Sequence, residues 1–176
     1  MKAIVAADRN RGIGKDGQLL AHLKGDMKFF KEQTVGKVVV MGRKTLESLP
    51  GGLALPERIT IVVTKDKNYE AHAKDDSKVL IATSLEEVTL KLLGLEFQEG
   101  IDAEEDVVIC GGQSIYEMFV PYCTEVLVTK IDKEYPADRH FMNMDKLAEA
   151  GMFKITYESD PITEGDTTYR FVTYSR

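Results

Sequence analysis

Three glycine-rich junctions are the places in this sequence where the backbone could receive a phosphate-bearing ligand. They are Gly12–Gly17, Met41–Thr45 and Cys110–Ser114, and each follows a short apolar run. Glycine lets a ligand approach the backbone, and the free N–H groups of a helix N-terminus attract anions. Taken singly, each junction is also what an ordinary turn contains. Together with Arg43 and Lys44 they predict a dinucleotide site, although neither the G-x-G-x-x-G nor the P-loop spacing is present.

Two charged residues stand where a charge could meet a ligand. Asp26 begins a predicted helix that continues with the bulky apolar residues Met27 and Phe30, so its carboxylate could face an apolar cleft and bind a cationic or amidine-like group. An acid in the first turn of a helix is also favoured by the helix dipole alone. Arg58 follows Leu-Pro-Glu at the start of a strand; it is either a surface arginine or a two-pronged partner for a carboxylate.

The composition excludes several classes of protein. The chain has 176 residues and a formal net charge of -6 at pH 7, which argues against a protein built to hold nucleic acid or an anionic membrane. No segment approaches the roughly 18 apolar residues of a membrane span. Cys110 and Cys123 fit neither a disulfide framework nor a metal-ligand spacing, and the three histidines form no triad pattern. We therefore expect a cytoplasmic protein that binds no metal, no nucleic acid and no membrane.

The elements that must position these residues alternate between strands and helices. Six nearly continuous apolar runs predict strands buried on both faces, as in a largely parallel sheet: Ala3–Ala7, Lys37–Met41, Ile59–Thr64, Val79–Ala82, Val107–Cys110 and Val126–Thr129. Two segments of alternating polarity, Lys154–Glu158 and Tyr169–Tyr174, predict an antiparallel hairpin at the edge of the sheet. The length and this pattern predict one α/β domain over residues 1–176.

Helical spacing of apolar residues predicts helices between the strands. The predicted segments are Asp26–Gln33, a helix that begins at Ser84, and Ser114–Tyr122. Ser84 and Glu87 have the spacing of a capping box. The acidic stretch Gly94–Asp106 is interpreted as a solvated loop with a short helical piece; a surface that docks a partner is the alternative.

At this point the ordered segments resemble one family, bacterial dihydrofolate reductase, over essentially the whole chain. The segments that carry the resemblance are Ala6–Ala7, Ile13–Lys15, His22–Lys31, Val40–Ser48, Leu55–Arg58, Ile109–Tyr116 and Val128–Ile131. The resemblance implies a central, mostly parallel, eight-stranded sheet with an antiparallel C-terminal strand and four flanking helices. It also implies NADPH-dependent reduction of 7,8-dihydrofolate to tetrahydrofolate in one-carbon metabolism, sensitivity to antifolate inhibitors, and a monomer.

The resemblance implies roles for the residues that would meet the substrate. Asp26 would bind the 2-amino and ring N–H groups of the pterin, Thr129 would hydrogen-bond Asp26, and Arg58 would hold the α-carboxylate of the glutamate tail. Apolar positions around the pterin and the aminobenzoyl group would be Leu19, Met27, Phe30, Leu49 and Leu55, with Val5 and Cys110 near the pterin.

It implies a second set of residues for NADPH. Ala6, Ile13 and Gly14 would lie on the nicotinamide side, and Gly42, Arg43, Lys44 and Thr45 would form the phosphate-binding helix start. Thr64 and Lys65 would receive the 2′-phosphate, and the pyrophosphate loop would be Gly111, Gly112, Gln113, Ser114, Ile115 and Tyr116.

The chemistry expected of this family needs a single acid. Hydride would move from the nicotinamide to C6 of the pterin while N5 gains a proton, so the protein supplies position, charge and exclusion of water. A carboxylate in an apolar cleft has a raised pKa. We infer that Asp26 tunes protonation electrostatically, with water as the final donor to N5; direct transfer from Asp26 is the alternative.

Three positions depart from the family pattern. Leu20-Ala21 replaces Pro-Trp, Ala137-Asp138-Arg139 stands in place of Gly-Asp-Thr, and Gln113 occupies a position where a third glycine is sometimes found. The first departure supports an alternative function, a relative that binds folate or NADPH but turns over poorly. Another alternative is a reductase of a pyrimidine ribosylamine, a group with a similar fold; Asp26 together with Phe30 and Arg58 argues against it.

Overall fold

The main sheet of the protein carries six adjacent parallel strands. The computed structural model describes residues 1–176. Its strands are β1 Lys2–Ala7, β2 Gly12–Gly14, β3 Val38–Gly42, β4 Ile59–Val63, β5 Val79–Ala82, β6 Val107–Ile109, β7 Glu125–Ile131, β8 Arg139–His140, β9 Lys154–Glu158, β10 Ile162–Glu164 and β11 Thr167–Ser175. The order across the sheet is β10-β11-β7-β1-β6-β3-β4-β5, and the strands from β7 to β5 are parallel.

The predicted eight-stranded sheet with an antiparallel C-terminal strand is confirmed, and a ninth strand joins it. β11 runs antiparallel to β7, and both β10 and β9 pair with the far side of β11. The two predicted segments, β9 and β11, therefore pair antiparallel as expected. However, β10 lies between them in the chain and also pairs with β11, so β11 is an interior strand of the sheet and not an edge. A separate small sheet consists of β2 and β8.

Five helices flank the sheet, so the expectation of four was wrong. They are α1 Lys24–Thr34, α2 Arg43–Ser48, α3 Leu85–Glu99, α4 Gln113–Phe119 and α5 Met144–Glu149, and single 3-10 turns follow at Pro50–Gly52 and Val120–Tyr122. The additional short helix is α5, whose Asn143 side chain accepts the N–H of Lys146 and so satisfies a free donor of the first turn.

The boundaries of α3 follow from its two ends. Ser84 accepts the Glu87 N–H at 3.2 Å and Glu87 accepts the Thr83 N–H at 2.6 Å, so the predicted start of the helix is confirmed. The helix continues to Gly100, which takes a left-handed conformation. The predicted loop at Gly94 thus begins six residues late, because Leu95 is buried on the core face and holds the last turns against the sheet.

Alternate residues of the central strands pack on opposite faces of the sheet. Val38 and Val40 of β3 belong to the main core, which includes residues of α3, α4 and α5, whereas Val39 and Met41 pack with Leu46 of α2 on the other face. This explains why β3 is apolar at every position. No helix of the protein is long and apolar enough to cross a membrane.

Candidate active site

A cleft with a volume of about 940 Å³ lies at the carboxyl ends of the parallel strands. Ala6 near the end of β1, Gly42 at the end of β3, Val63 at the end of β4 and Cys110 just after β6 all line it. Open parallel sheets bind ligands at this edge because the loops from neighbouring strands diverge there and leave a crevice.

Two helix starts meet on one wall of this cleft. α2 begins directly after β3, and three residues separate the end of β6 from the start of α4. The two junctions are joined where the Gly42 N–H donates to the Gly111 carbonyl at 2.8 Å. Gly111 has a φ of 99°, and a Cβ there would lie 2.9 Å from the ring of Tyr116. Only glycine fits such a conformation and such a close approach. Neither helix has a side-chain N-cap, which leaves backbone donors at this wall.

Every residue that the resemblance assigned to the cofactor lines the cleft. These residues are Ala6, Ile13, Gly14, Gly42, Arg43, Lys44, Thr45, Thr64, Lys65, Gly111, Gly112, Gln113, Ser114, Ile115 and Tyr116. Of the residues assigned to the substrate, Val5, Leu19 and Cys110 line the same cleft. The structure therefore brings the three glycine-rich junctions of the sequence to one place.

The cations of the cleft differ in how far the chain itself neutralises them. Arg43 donates to Glu47 at 2.6 Å and to Asp66 at 3.3 Å, so its charge is already paired. Lys44 and Lys65 are exposed and make no ion pair. An anionic ligand would meet these two lysines as unpaired positive charges.

Asp26, the acid expected to meet the substrate, does not line the cleft itself, but its charge acts on Tyr116, which does. Asp26 lies at the third position of α1, and the Thr129 hydroxyl on β7 donates to its Oδ1 at 2.6 Å. Burial raises the pKa of Asp26 above its ordinary value, the hydrogen bond from Thr129 opposes that shift, and the nearby charge of Glu164 adds to it. Thr129 itself is buried. The pair thus combines a partly desolvated carboxyl group with a fixed donor, which suits recognition of an amidine-like group.

Arg58 is the most deeply buried cation of the chain. It is 7% exposed, its Nε donates to Thr34 Oγ1 at 2.9 Å, and it also donates to the Pro56 carbonyl. Burial lowers the pKa of Arg58. No carboxylate of the chain pairs with it, so a ligand carboxylate would satisfy a charge that the fold leaves without a counterion.

The remaining predicted substrate positions are spread over the walls. Phe30 packs against Ile4, Val108 and Leu127, and Leu49 packs in the cluster around Met41. Leu55 is half-buried, and Leu19 and Met27 are 58% and 57% exposed. Of these apolar residues only Leu19 lines the main cleft. Burial raises the pKa of the Cys110 thiol to about 12, which favours the thiol over the thiolate at neutral pH.

Several residues that line the cleft had no individual role assigned from the sequence. They are Lys15, Asp16, Gly17, Gln18, Ser48, Val63, Glu117, Asp138 and Arg139. Lys15 to Gln18 continue a glycine-rich junction, a signal that could have found them. Asp138 and Arg139 carry no local signal, since they reach the cleft only because the Asp138 N–H donates to Gly14 O and Asp138 accepts the Asp16 N–H, both at 3.0 Å.

The buried carboxylate of Asp8 holds the segment between β1 and β2 in place. Asp8 is 5% exposed and accepts the N–H groups of Asn10, Gly12 and Tyr135 at 2.7–2.9 Å. These bonds join the end of β1 to β2 and to the segment that precedes β8. The cleft residues Ile13 and Gly14 are thus held to the sheet through a side chain that does not line the cleft.

Ala21 marks the departure from the family pattern. It packs beside Leu23, Ile131 and the buried ring of Tyr169. Gln113, the third departure, accepts the His140 N–H at 3.0 Å and donates to Glu117 at 2.9 Å, so its side chain connects α4 to β8 at the rim of the cleft.

The fold and the site define an α/β protein with a phosphate-receptive cleft at the carboxyl ends of its strands and a desolvated acid beside it. Comparisons with known proteins identify one family within this class. The chain belongs to the dihydrofolate reductase family, whose model matches residues 1–176.

Individual relatives agree with the family match. The chain is 38% identical over 161 residues to the dihydrofolate reductase of Staphylococcus haemolyticus, which spans 90% of this chain and 87% of that protein. It is 37% identical over 143 residues to the enzyme of Bacillus subtilis, which spans 81% and 76%. Among solved structures, dihydrofolate reductase from Enterococcus faecalis, complexed with NADP(H) and RAB-propyl, superposes with a TM-score of 0.79 at 30% identity and covers 99% of this chain and 95% of that one.

Proposed function

We propose that the protein reduces 7,8-dihydrofolate to 5,6,7,8-tetrahydrofolate with NADPH. The observation that carries this proposal is the Asp26 carboxyl group, partly buried and bonded to Thr129 at 2.6 Å, in a chain whose expected cofactor residues all line one cleft. Membership of the dihydrofolate reductase family supports the same reaction.

The cleft fits NADPH by size and by its donor set. A volume of about 940 Å³ is in the range that a dinucleotide needs. The two uncapped helix starts and the close backbone approach at Gly111 suit a pyrophosphate. Lys44 and Lys65 are unpaired cations of the cleft that could bind further phosphate groups. Bound NADPH would supply the hydride.

Asp26 would bind the pterin and control its protonation. An ionised carboxylate accepts two N–H groups side by side, which matches the 2-amino group and the adjacent ring nitrogen of a pterin. When Asp26 is ionised, its negative charge favours the protonated form of the bound pterin. Because burial raises its pKa, Asp26 also holds a proton at higher pH than an exposed aspartate does. Water is the proposed final donor to N5, with Asp26 tuning that step electrostatically.

Arg58 would hold the other end of the substrate. Its guanidinium group has Nε fixed by Thr34, and it lacks a counterion, so the α-carboxylate of a glutamate tail would complete its charge pairing. Phe30, Leu49, Leu55, Met27 and Leu19 would form the apolar walls between these two polar ends. An antifolate that carries the same amidine-like group would bind Asp26 in the same way.

Ala21 stands where the family pattern has tryptophan, and it would cover less apolar area beside the site. The methyl group of Ala21 cannot cover the area that a tryptophan ring covers, so water is excluded less completely. This would lower efficiency, and it is the observation that favours a relative with impaired turnover as a second candidate function. The family match and the enzymes among its relatives favour the active reductase.

We further propose that residues 1–176 act as one dihydrofolate reductase-like unit, as a monomer in the cytoplasm, with no nucleic-acid or membrane partner. The continuous sheet and the net charge of -6 support this assignment.

One assay tests the proposed reaction. NADPH oxidation is followed at 340 nm with dihydrofolate, and NADPH binding is measured separately by fluorescence. Turnover that requires both compounds supports the reductase. Binding without turnover favours the impaired relative, and turnover only with a pyrimidine ribosylamine refutes the folate assignment.

A further inference from the structure

The start of α1, the helix that carries Asp26, has no cap from its own sequence. The residue before it is Leu23, which has no side-chain oxygen to offer. The Lys24 and Gly25 N–H groups instead donate to the two carboxylate oxygens of Glu164, at 2.8 and 2.7 Å. Glu164 ends β10, 139 residues further along the chain. A distant carboxylate thus takes the place that an N-cap residue normally has.

A third donor fixes the capping carboxylate. The Tyr169 hydroxyl on β11 donates to Glu164 Oε1 at 2.6 Å, and Tyr169 is 1% exposed. Its ring packs with Leu23, the residue that precedes α1. Glu164 therefore has little freedom to turn away from the helix.

Gly25 is what permits this approach. A Cβ at position 25 would lie 2.0 Å from Tyr169 Oη and 2.9 Å from Glu164 Oε1, distances at which atoms cannot coexist. The three residues Gly25, Glu164 and Tyr169, which we call the helix-start clamp, are therefore fitted to one another. Asp26 follows Gly25 directly, so a shift in the clamp moves the acid of the site.

We propose that Glu164 is a positioning residue for the reduction, which sets the place and the protonation of the Asp26 carboxyl group through the helix-start clamp. This inference rests on the proposed function, because it assigns Asp26 its role in turnover. Small displacements of a reacting group cost large factors in rate, so a clamp of this kind has a kinetic consequence.

The charges around Asp26 support the electrostatic part of the proposal. The polar and titratable groups that face it are Thr129 from β7, Glu164 from β10, Tyr169 from β11 and Tyr116 from α4. Burial raises the pKa of both tyrosines, so they stay neutral. Glu164 is the one anion of the set that acts on Asp26 and, after burial, the second influence that raises its pKa.

The pKa values of the two acids are shifted in opposite directions. The hydroxyl of Tyr169 and the Gly25 N–H lower the pKa of Glu164, whereas the pKa of Asp26 is raised. The hydrogen bonds of the clamp thus favour the ionised form of Glu164. When ionised, Glu164 favours the protonated form of Asp26.

The test compares Glu164→Gln with a matched control, Asp166→Asn. Asp166 lies two residues away in the turn after β10, carries the same charge and pairs with Lys133 at 2.7 Å rather than with α1. The titration of the Asp26 carboxyl group is followed by carbon NMR in each protein, and kcat and KM for dihydrofolate are measured against pH. We expect the Asp26 midpoint and the pH profile of kcat to move to lower pH in Glu164→Gln and to stay unchanged in Asp166→Asn.

A second pair of variants tests position without a change of charge. Gly25→Ala is expected to lower kcat by about ten- to a hundredfold with NADPH binding unchanged. Gly25→Ala combined with Tyr169→Phe, which removes the nearest clashing atom, is expected to recover part of that loss.

Distinct results separate the failure of each idea. An Asp26 midpoint and a pH profile in Glu164→Gln that equal those of the unaltered protein overturn the proposal, as does an equal shift in Asp166→Asn. Absence of dihydrofolate turnover in the unaltered protein refutes the proposed function instead, and the NMR titration still decides whether Glu164 controls Asp26.

Discussion

Replacing Arg58 by leucine isolates the contribution of the cation that we assign to the substrate tail. The side chain is 7% exposed, is oriented by Thr34, and has no carboxylate partner within the chain. Leucine is apolar and shorter, so it removes the charge and both hydrogen bonds. The folded protein should tolerate the change, because a buried cation without a counterion contributes little to stability.

The expected loss of affinity follows from the burial of the pair. Truncating one partner of a buried, hydrogen-bonded charge pair costs about 2–5 kcal/mol, which corresponds to about 30-fold to several thousandfold in affinity at about 1.4 kcal/mol per factor of ten. Thr34 and Pro56 already occupy some of the guanidinium donors. We therefore expect the lower end, about 30- to 100-fold weaker binding of dihydrofolate.

The assay is equilibrium binding of dihydrofolate by fluorescence quenching, repeated with a dihydropterin that lacks the glutamate tail. Arg58→Leu should weaken the first ligand and leave the second unchanged, and NADPH binding should not move. The control is Arg170→Leu, which removes an arginine that pairs with Glu158 at 2.7 Å on β11. An equal loss for both pterin ligands, or an affinity for dihydrofolate equal to that of the unaltered protein, would refute the role of Arg58.

Three further variants, at Asp26, Lys65 and Ser84, give four more predictions. Asp26→Asn should keep NADPH binding and lose most turnover at neutral pH, and near-normal turnover would contradict the assignment. Because the pKa of Asp26 is raised in the folded protein, its contribution to the free energy of unfolding is present below the ordinary value of 3.8 and is lost as the pH rises through the folded-state pKa. Asp26→Asn should therefore be more stable than the unaltered protein at pH 8, and this difference should vanish near pH 3 in urea unfolding. Lys65→Ala should raise KM for NADPH but not for NADH, since only NADPH has a 2′-phosphate; equal effects would place Lys65 elsewhere. Ser84→Ala should lower the unfolding free energy by about 1 kcal/mol without changing kcat, and no loss in urea unfolding would show that the cap of α3 is dispensable.

The sequence was sufficient for features that depend on near neighbours in the chain. All six parallel strands were predicted, because burial on both faces requires every residue of a short run to be apolar. The cap at Ser84 was predicted because its partner Glu87 is three residues away. The helix Met144–Glu149 was missed because it is short, and the end of α3 was misplaced because Leu95 is held by packing rather than by a local signal.

Local sequence features alone predicted only part of the candidate site. Asp26 and Arg58 could be interpreted as surface residues from local sequence alone, and their roles came from a resemblance over the whole chain. Arg43 illustrates the limit: its type and place predict a phosphate ligand, yet Glu47 and Asp66 already neutralise it.

What the sequence by itself determined is an acidic chain with an α/β pattern and glycine-rich junctions after its strands, since turns, caps and strand burial are local properties. What only the tertiary structure decided is which distant groups share a site. Thr129 reaches Asp26 across 103 residues and Glu164 reaches Gly25 across 139 residues. Such contacts depend on the order of strands in the sheet, which places β7, β10 and β11 beside α1, and no local spacing encodes that order.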